Sequence, residues 1–142
     1  MEKTGQKFTD CLMRRAKQRN AKKHHFDGST NEVIFKVPNR PKGDLIRSSC
    51  EEIYGIQSDT IYRLSCLAAH GTYTINHLTR LDDCKWYITA LVDPEEITLL
   101  KISKDRLWQL KPINQQRGSI DKDFILTKSQ IMNLDPEILT HQ

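Results

Sequence analysis

The feature that most constrains the fold is a pair of alternating segments separated by a short break. Residues 86–92 read WYITALV and residues 97–102 read ITLLKI, with Asp93-Pro94-Glu95 between them. Both segments carry apolar residues on both alternating sets of positions. Successive side chains of a strand point to opposite faces, so such strands belong to a sheet that is covered on both sides. We therefore predict a β-hairpin in the middle of a doubly covered sheet.

The length and composition fit one soluble globular domain. The chain has 142 residues, of which 37% are hydrophobic and 28% charged, so we predict a single domain over residues 1–142 with a sheet core at about residues 30–135. No apolar run approaches the roughly 20 residues of a membrane span, and the first residues lack the apolar stretch of a signal peptide. We expect a cytoplasmic protein whose four cysteines, none in a C-x-x-C pair, are reduced thiols.

Positive charge is concentrated in the first third of the chain. Residues 1–47 hold twelve Lys and Arg against five Asp and Glu, whereas residues 48–142 hold ten against thirteen. A one-sided basic region favours a polyanionic partner, most often nucleic acid, although an ordinary solvated helix face also has this composition. Apolar residues at helical spacing predict a helix over residues 4–22. The candidate DNA-binding residues are Arg14, Arg15, Lys17, Arg19, Lys22, Lys23, Arg40 and Lys42.

Periodicity and capping residues predict the remaining elements. Residues 60–67, TIYRLSCL, suit a strand by composition but also fit a helix when read with the residues that follow. Asn39-Arg40-Pro41-Lys42-Gly43 reads as a basic loop, and residues 135–142 read as a tail. The other predicted elements are a strand at 32–38, a helix at 44–55 ending at Gly55, a short helix at 72–83, a Ser103-capped helix at 104–110, and a strand with a helical turn at 124–132. Together these elements predict an α/β or α+β domain with a central mixed sheet flanked by helices.

The stretch CKWYITALVDPEEITLLKISKDRL, followed after a polar loop by FILTKSQIMNLDPEIL, resembles the second half of restriction-endonuclease-like nucleases of the PD-(D/E)XK superfamily. The similarity covers roughly residues 40–139. GTYTINHLTR lies where that fold places the helix and loop after its catalytic strand. RPKGDLI lies where the superfamily often has its first catalytic carboxylate, in a Gly-Asp pair that opens a strand. The resemblance implies a restriction-endonuclease-like fold and an Mg²⁺-dependent endonuclease acting on double-stranded DNA.

The resemblance also implies which residues form the active site. Asp44 stands for the first metal-binding carboxylate, Glu52 or Glu51 for the second, and Lys42 is a cation that contacts phosphate. Such carboxylates hold Mg²⁺, which stabilises the charge that develops on the scissile phosphate. The Glu-x-Lys expected near residues 58–67 is missing, so the resemblance implies either a rearranged site or a scaffold without cleavage. A homodimer reading a two-fold DNA site is also expected.

Three alternatives stay open from the sequence. The first is a winged-helix transcriptional regulator without enzymatic activity, in which residues 44–56, 58–71 and 72–83 form three helices and the hairpin forms the wing. Its base-reading residues would be Asn76, His77, Thr79 and Arg80. The second is a zinc site built from Cys66, His70, His77 and Cys84. The third is a protein-binding module whose basic first helix docks on an acidic partner.

Overall fold

The computed structural model describes residues 4–21, 30–114 and 120–140, and its first elements are three helices. They are α1 (Thr4–Ala21), α2 (Thr30–Lys36) and α3 (Asn39–Tyr54). Helix α1 buries one stripe of apolar side chains, with Phe8, Leu12 and Ala16 inaccessible to solvent, as the helical spacing predicts. The predicted helix over 4–22 is therefore confirmed within the described residues. Helices α1 and α3 pack against each other and form one layer of the domain.

The strands form two sheets. The first sheet has the order β1 (Thr60–Cys66), β3 (Trp86–Val92), β4 (Ile97–Ser103) and β7 (Glu137–Ile138). Strand β1 runs parallel to β3, and the other neighbours are antiparallel, so this central sheet is mixed. The second sheet is antiparallel, with the order β2 (Thr72–Leu78), β6 (Lys122–Thr127) and β5 (Ile113–Asn114). Two short helices, α4 (Lys104–Leu107) and α5 (Lys128–Met132), follow β4 and β6.

The central sheet is covered on both faces, which confirms the prediction made from residues 86–102. In β3, Ile88, Ala90 and Val92 pack against the helical layer. Tyr87 and Leu91 point the other way, into a second core shared with β2 and β6. The alternating side chains of β3 therefore contribute to two hydrophobic cores, one on each face of the central sheet. The class is a mixed α/β single domain, with helices on one face of the central sheet and a three-stranded sheet on the other.

The predicted caps at Ser103 and Gly55 are also confirmed. The Ser103 side chain accepts a hydrogen bond from the backbone N–H of Arg106 at the start of α4, and α3 ends at Gly55, whose φ of 90° favours glycine. At the start of α5, Thr127 and Gln130 form a capping box. Such caps satisfy backbone groups that the helix ends leave unpaired, and they depend on neighbouring residues only.

The strand predicted at residues 32–38 is wrong, because this segment forms helix α2. Val33, Ile34 and Val37 are buried, at a spacing that fits one helix face as well as a short strand. Helix α2 packs on α1, and this contact overrides the β-propensity of the branched residues. The predicted basic loop is wrong for a related reason: Asn39 to Gly43 form the first turns of α3.

The helix predicted over residues 72–83 is also wrong. Residues 72–78 form β2, in which Tyr73 and Ile75 face the second core and pair with β6 about 50 residues later in the chain. Residues 60–66 form β1, so the winged-helix arrangement of three consecutive helices does not occur. Part of the expected C-terminal tail forms β7, which pairs with Leu100 and Lys101. All three outcomes depend on partners that are distant in sequence.

Candidate nucleic-acid interface

A contact between Arg19 and Pro41 joins the two most basic parts of the described chain. The Nη1 of Arg19, in the last turns of α1, donates to the backbone carbonyl of Pro41 at 3.3 Å. The flanking residues Arg40 and Lys42 lie in the first turns of α3. Arg19 and Arg40 are exposed, and Lys42 is half-buried. We call the region around Pro41, to which Arg19, Arg40 and Lys42 belong, the basic corner.

The start of α3 adds to the positive potential of the basic corner. Helix α3 has 16 residues, and the N-terminus of a long helix carries a partial positive charge from its unpaired N–H groups. Asp44 is the nearest acidic residue along α3, and its carboxylate lies 3.9 Å from the guanidinium of Arg47. The corner therefore combines three cationic side chains from two elements with a favourable helix end.

The other predicted cations of α1 lie further along the α1–α3 interface. Arg14 Nη2 donates to both carboxylate oxygens of Glu52, at 2.8 and 3.1 Å, and Arg15 Nη2 lies 3.6 Å from the same carboxylate. Lys17 is exposed on α1. Glu52 neutralises part of the charge of the two arginines, so the basic corner is the more open cationic surface. Lys22 and Lys23 lie outside the described residues.

Glu52 is held by a thiol as well as by arginines. The buried Cys11 thiol donates to Glu52 Oε2 across the α1–α3 interface. This hydrogen bond, followed by those from Arg14, lowers the pKa of the Glu52 carboxyl. Cys50, on the same helix, is fully buried, and burial raises the pKa of its thiol to about 12. The Glu52 cluster therefore links two helices, and its carboxylate already has hydrogen-bond donors.

Asp44 and Glu52 are not brought together. Both lie on α3, and eight residues of an α-helix span about 12 Å along its axis, so the two carboxylates do not reach one metal ion. Asp44 lies inside a helix rather than at the opening of a strand, contrary to the expectation from the nuclease resemblance. Glu51 is exposed on the same helix. Among residues 4–21, 30–114 and 120–140, no group of three or more His, Cys, Asp or Glu side chains is arranged to hold a metal.

The four residues of the zinc alternative are also separated. Cys66 packs against the core on the helical side of the central sheet, whereas Cys84 packs against the core on its opposite side. His70 is exposed in a turn, where its ring bonds to Thr72 at 2.7 Å. The four cysteines are free thiols. The sheet itself lies between the two thiols that would have to share the metal.

The base-reading residues of the winged-helix alternative occupy a strand and the loop after it. Asn76 and His77 lie at an irregularity in the pairing of β2 with β6. The guanidinium of Arg80 lies 4.7 Å from the centre of the Trp108 ring and donates to the Trp108 carbonyl at 3.3 Å. Thr79 and Arg80 thus help to fix the loop that closes the second core.

One polar group was not singled out by the sequence. Arg63 occupies the middle of β1 on the face directed toward the second sheet, where its neighbours on that face are Ile61 and the buried Ser65. Within TIYRLSCL, the alternation places Arg63 on one defined face of a strand. That the face is internal follows only from the position of β2 beside β1.

The chain was compared with known proteins and examined for membrane segments. In the part of the chain that the structure describes, no helix combines the length and apolar character that crossing a bilayer requires. Comparisons with protein-family models, with curated proteins and with solved structures gave no match.

Proposed function

We propose that this protein binds double-stranded DNA through the basic corner. The observation that supports the proposal is the contact of Arg19 with the Pro41 carbonyl, because it brings a cation of α1 to the first turns of α3, where Arg40 and Lys42 lie. Point charges of this kind bind the phosphate backbone without reading sequence, and they gain affinity by releasing condensed counterions. The proposal keeps the DNA-binding part of the resemblance to restriction-endonuclease-like nucleases.

The arrangement favours contact with phosphates over contact with base edges. Arg19 and Arg40 are long, exposed side chains whose planar guanidinium groups match phosphate oxygens. The N-terminal N–H groups of a long helix are also suitable donors to a phosphate. We therefore expect DNA binding with little sequence preference and a strong dependence on salt.

The test is the salt dependence of duplex binding, measured by fluorescence anisotropy over a range of NaCl concentrations. Each phosphate contact contributes about −0.9 to the slope of log K against log salt. The double variant Arg19→Gln/Arg40→Gln is expected to reduce the magnitude of this slope by about 2, and to weaken binding by about tenfold or more at moderate salt. Circular dichroism should show an unchanged fold, because both side chains are exposed.

The matched control removes two charges from loops that are far along the chain from the basic corner. Lys85 and Lys111 are exposed in loops beside β3 and α4, so Lys85→Gln/Lys111→Gln gives the same net charge as the test variant. We expect this control to keep the wild-type slope within experimental error. Equal slopes for the two double variants, or no salt-dependent binding by the wild type, would contradict the proposal. Binding to an acidic protein without binding to DNA would favour the partner-docking alternative.

A second prediction concerns cleavage. Because Asp44 and Glu52 are about two helical turns apart on α3, we expect Asp44→Ala to leave the topology of supercoiled plasmid DNA unchanged relative to wild type, with and without Mg²⁺. Agarose gel electrophoresis after incubation measures this directly. Mg²⁺-dependent nicking by the wild type that disappears in Asp44→Ala would show that Asp44 belongs to a metal centre.

A further inference from the structure

A small pocket lies next to the basic corner, between α3 and the irregular part of β2. Its volume is about 90 Å³, and its lining residues are Gly43, Arg63, Leu64, Asn76 and His77. Gly43 follows Lys42 directly on α3, so the pocket and the basic corner adjoin. A pocket of this volume admits a few waters or one small polar group, since water occupies about 30 Å³ per molecule in the liquid.

The cation of the pocket is Arg63. Its guanidinium donates to three backbone carbonyls: Nε to Asn76 at 2.9 Å, Nη1 to Tyr62 at 2.8 Å and Nη2 to His77 at 3.1 Å. A guanidinium has five N–H groups, so one N–H remains on each terminal nitrogen. Burial lowers the pKa of Arg63, but an arginine stays charged at neutral pH.

Arg63 has no ion-pair partner at contact distance among the described residues, although Asp82 and Asp121 attract its charge from further away. Among the described residues, no carboxylate lies within 4.0 Å of its nitrogens, whereas Arg14, Arg47 and Arg106 all have such partners. Buried or half-buried charges in proteins are normally paired. A half-buried guanidinium with two remaining donors, lining a pocket, is therefore suited to an anionic ligand.

The opposite wall of the pocket is formed by the irregularity in β2. His77 has a φ of 57°, in the left-handed region that non-glycine residues seldom adopt. The Oδ1 of Asn76 is buried without a hydrogen-bond partner among the described residues. An asparagine amide offers a donor or an acceptor after a half turn about its last bond. At this irregularity, the side-chain oxygen of Asn76 therefore accepts no hydrogen bond from the described residues.

We propose that the pocket binds one phosphate group, held by the two remaining N–H groups of Arg63 and by the amide of Asn76. The adjoining basic corner supplies the long-range attraction for such an anion. The source is either a backbone phosphate of DNA, in which case the inference rests on the proposed function, or the phosphate of a free nucleotide. Planar guanidinium groups bind tetrahedral oxyanions through paired hydrogen bonds, and Arg63 keeps one unused N–H on each of its two terminal nitrogens.

The acidic residues near the pocket already have partners on the β6 side. Asp123 accepts from the backbone N–H of His77 at 3.3 Å, and the Asp121 carboxylate lies 3.7 Å from Nδ1 of His77. Both carboxylates therefore contact the irregular segment at His77, and Asp121 also attracts the charge of Arg63. The side open to an anion is the one formed by Gly43, beside Lys42.

Gly43 allows a test that does not disturb Arg63. A Cβ at Gly43 would meet only the Tyr62 carbonyl oxygen, at 3.9 Å, an ordinary contact. Gly43→Asp therefore places a negative charge at the pocket, and Gly43→Asn places a neutral side chain of the same shape there. The probes are inorganic phosphate, a nucleoside 5′-monophosphate and a short DNA duplex. Each is titrated at constant ionic strength while the ¹⁵N–¹H signals of Arg63 Nε and of the Asn76 and His77 backbones are followed.

In the wild type, inorganic phosphate is expected to shift these signals in a saturable manner. Gly43→Asn should bind phosphate more weakly than the wild type, because its side chain takes up pocket space. Gly43→Asp, which fills the same space and adds a negative charge, should bind it about tenfold or more weakly than Gly43→Asn, as expected for a repulsive unit charge at close range. No saturable shift with any probe, or the same response in both Gly43 variants, would overturn the proposal. Thermal unfolding of both variants shows that they are folded.

The titration with the DNA duplex distinguishes the pocket proposal from the proposed DNA-binding function. If phosphate and the nucleotide saturate the pocket but the duplex neither binds nor shifts the pocket signals, the pocket is supported and DNA binding is refuted. If the duplex binds with a salt dependence that Arg19→Gln/Arg40→Gln reduces, but the pocket signals do not respond to any probe, DNA binding is supported and the pocket is refuted. Saturation of the pocket by the duplex supports both.

Discussion

Replacement of Tyr87 by phenylalanine is expected to lower the free energy of unfolding by roughly 2–4 kcal/mol, on the scale of two lost hydrogen bonds in a buried site. The Tyr87 side chain is fully buried in β3. Its hydroxyl donates to Asp82 Oδ2 at 2.8 Å and accepts from Trp108 Nε1 at 3.0 Å. Phenylalanine keeps the ring but leaves the indole N–H without its acceptor and removes one donor to the carboxylate. Urea unfolding at neutral pH measures the change.

The same substitution at Tyr62 is a control with the opposite expectation. Tyr62 is also buried in the central sheet, but its hydroxyl has no hydrogen-bond partner among the described residues. Removing an unpartnered buried polar atom relieves a desolvation cost, so Tyr62→Phe is expected to leave stability unchanged or raise it by up to about 1 kcal/mol. A loss of stability in Tyr62→Phe as large as that in Tyr87→Phe would show that ring packing, not the hydroxyl network, decides both results.

Replacement of Gly5 by alanine is expected to displace the C-terminal segment and cost about 1–3 kcal/mol, the usual range for an overpacked contact. A Cβ at Gly5 would lie 2.1 Å from the backbone carbonyl oxygen of Thr140, so one of the two segments must move. Two hydrogen bonds help to hold the segment that follows β7. The Leu139 N–H donates to the Leu99 carbonyl at 2.8 Å, and the Tyr54 hydroxyl donates to the Leu139 carbonyl at 3.0 Å. We expect the Leu139 amide to exchange its hydrogen much faster in Gly5→Ala.

Gly43→Ala is the matched control, since Gly43 is also a helical glycine. Its new Cβ would make only an ordinary contact, and alanine is favoured over glycine inside a helix by about 0.5–1 kcal/mol. We therefore expect Gly43→Ala to stabilise the protein while Gly5→Ala destabilises it. Unchanged Leu139 exchange in Gly5→Ala would show that α1 shifts instead of the C-terminal segment.

The contrast between β3 and β2 shows where sequence reasoning succeeds and fails. Trp86–Val92 carries apolar residues on both faces, with Thr89 the only polar residue, so its place inside a covered sheet could be predicted from its own residues. Residues 72–78 have apolar side chains at 73, 75 and 78, a spacing that fits a strand with an irregularity as well as a helix. The choice between them is made by pairing with β6, which local periodicity does not encode.

The candidate site divides in the same way. The excess of Lys and Arg in the first 47 residues is a property of the sequence, and it was enough to select Arg19, Arg40 and Lys42. That Arg19 meets the first turns of α3 depends on the antiparallel packing of α1 and α3. Asp44 and Glu52, by contrast, are separated by local geometry, because both lie on α3 and eight residues of an α-helix span about 12 Å.

The sequence by itself determined the elements whose signals are local: the hairpin at residues 86–102, the first helix, the helix caps and the uneven distribution of charge. Each depends on the order of neighbouring residues, which fixes the face that a side chain occupies and the ends of a helix. Only the tertiary structure decided that residues 32–36 are helical, that residues 60–66 and 72–78 are strands in different sheets, and that Arg63 lines a pocket. These depend on contacts between segments far apart in the chain, whose energies exceed the differences in local propensity.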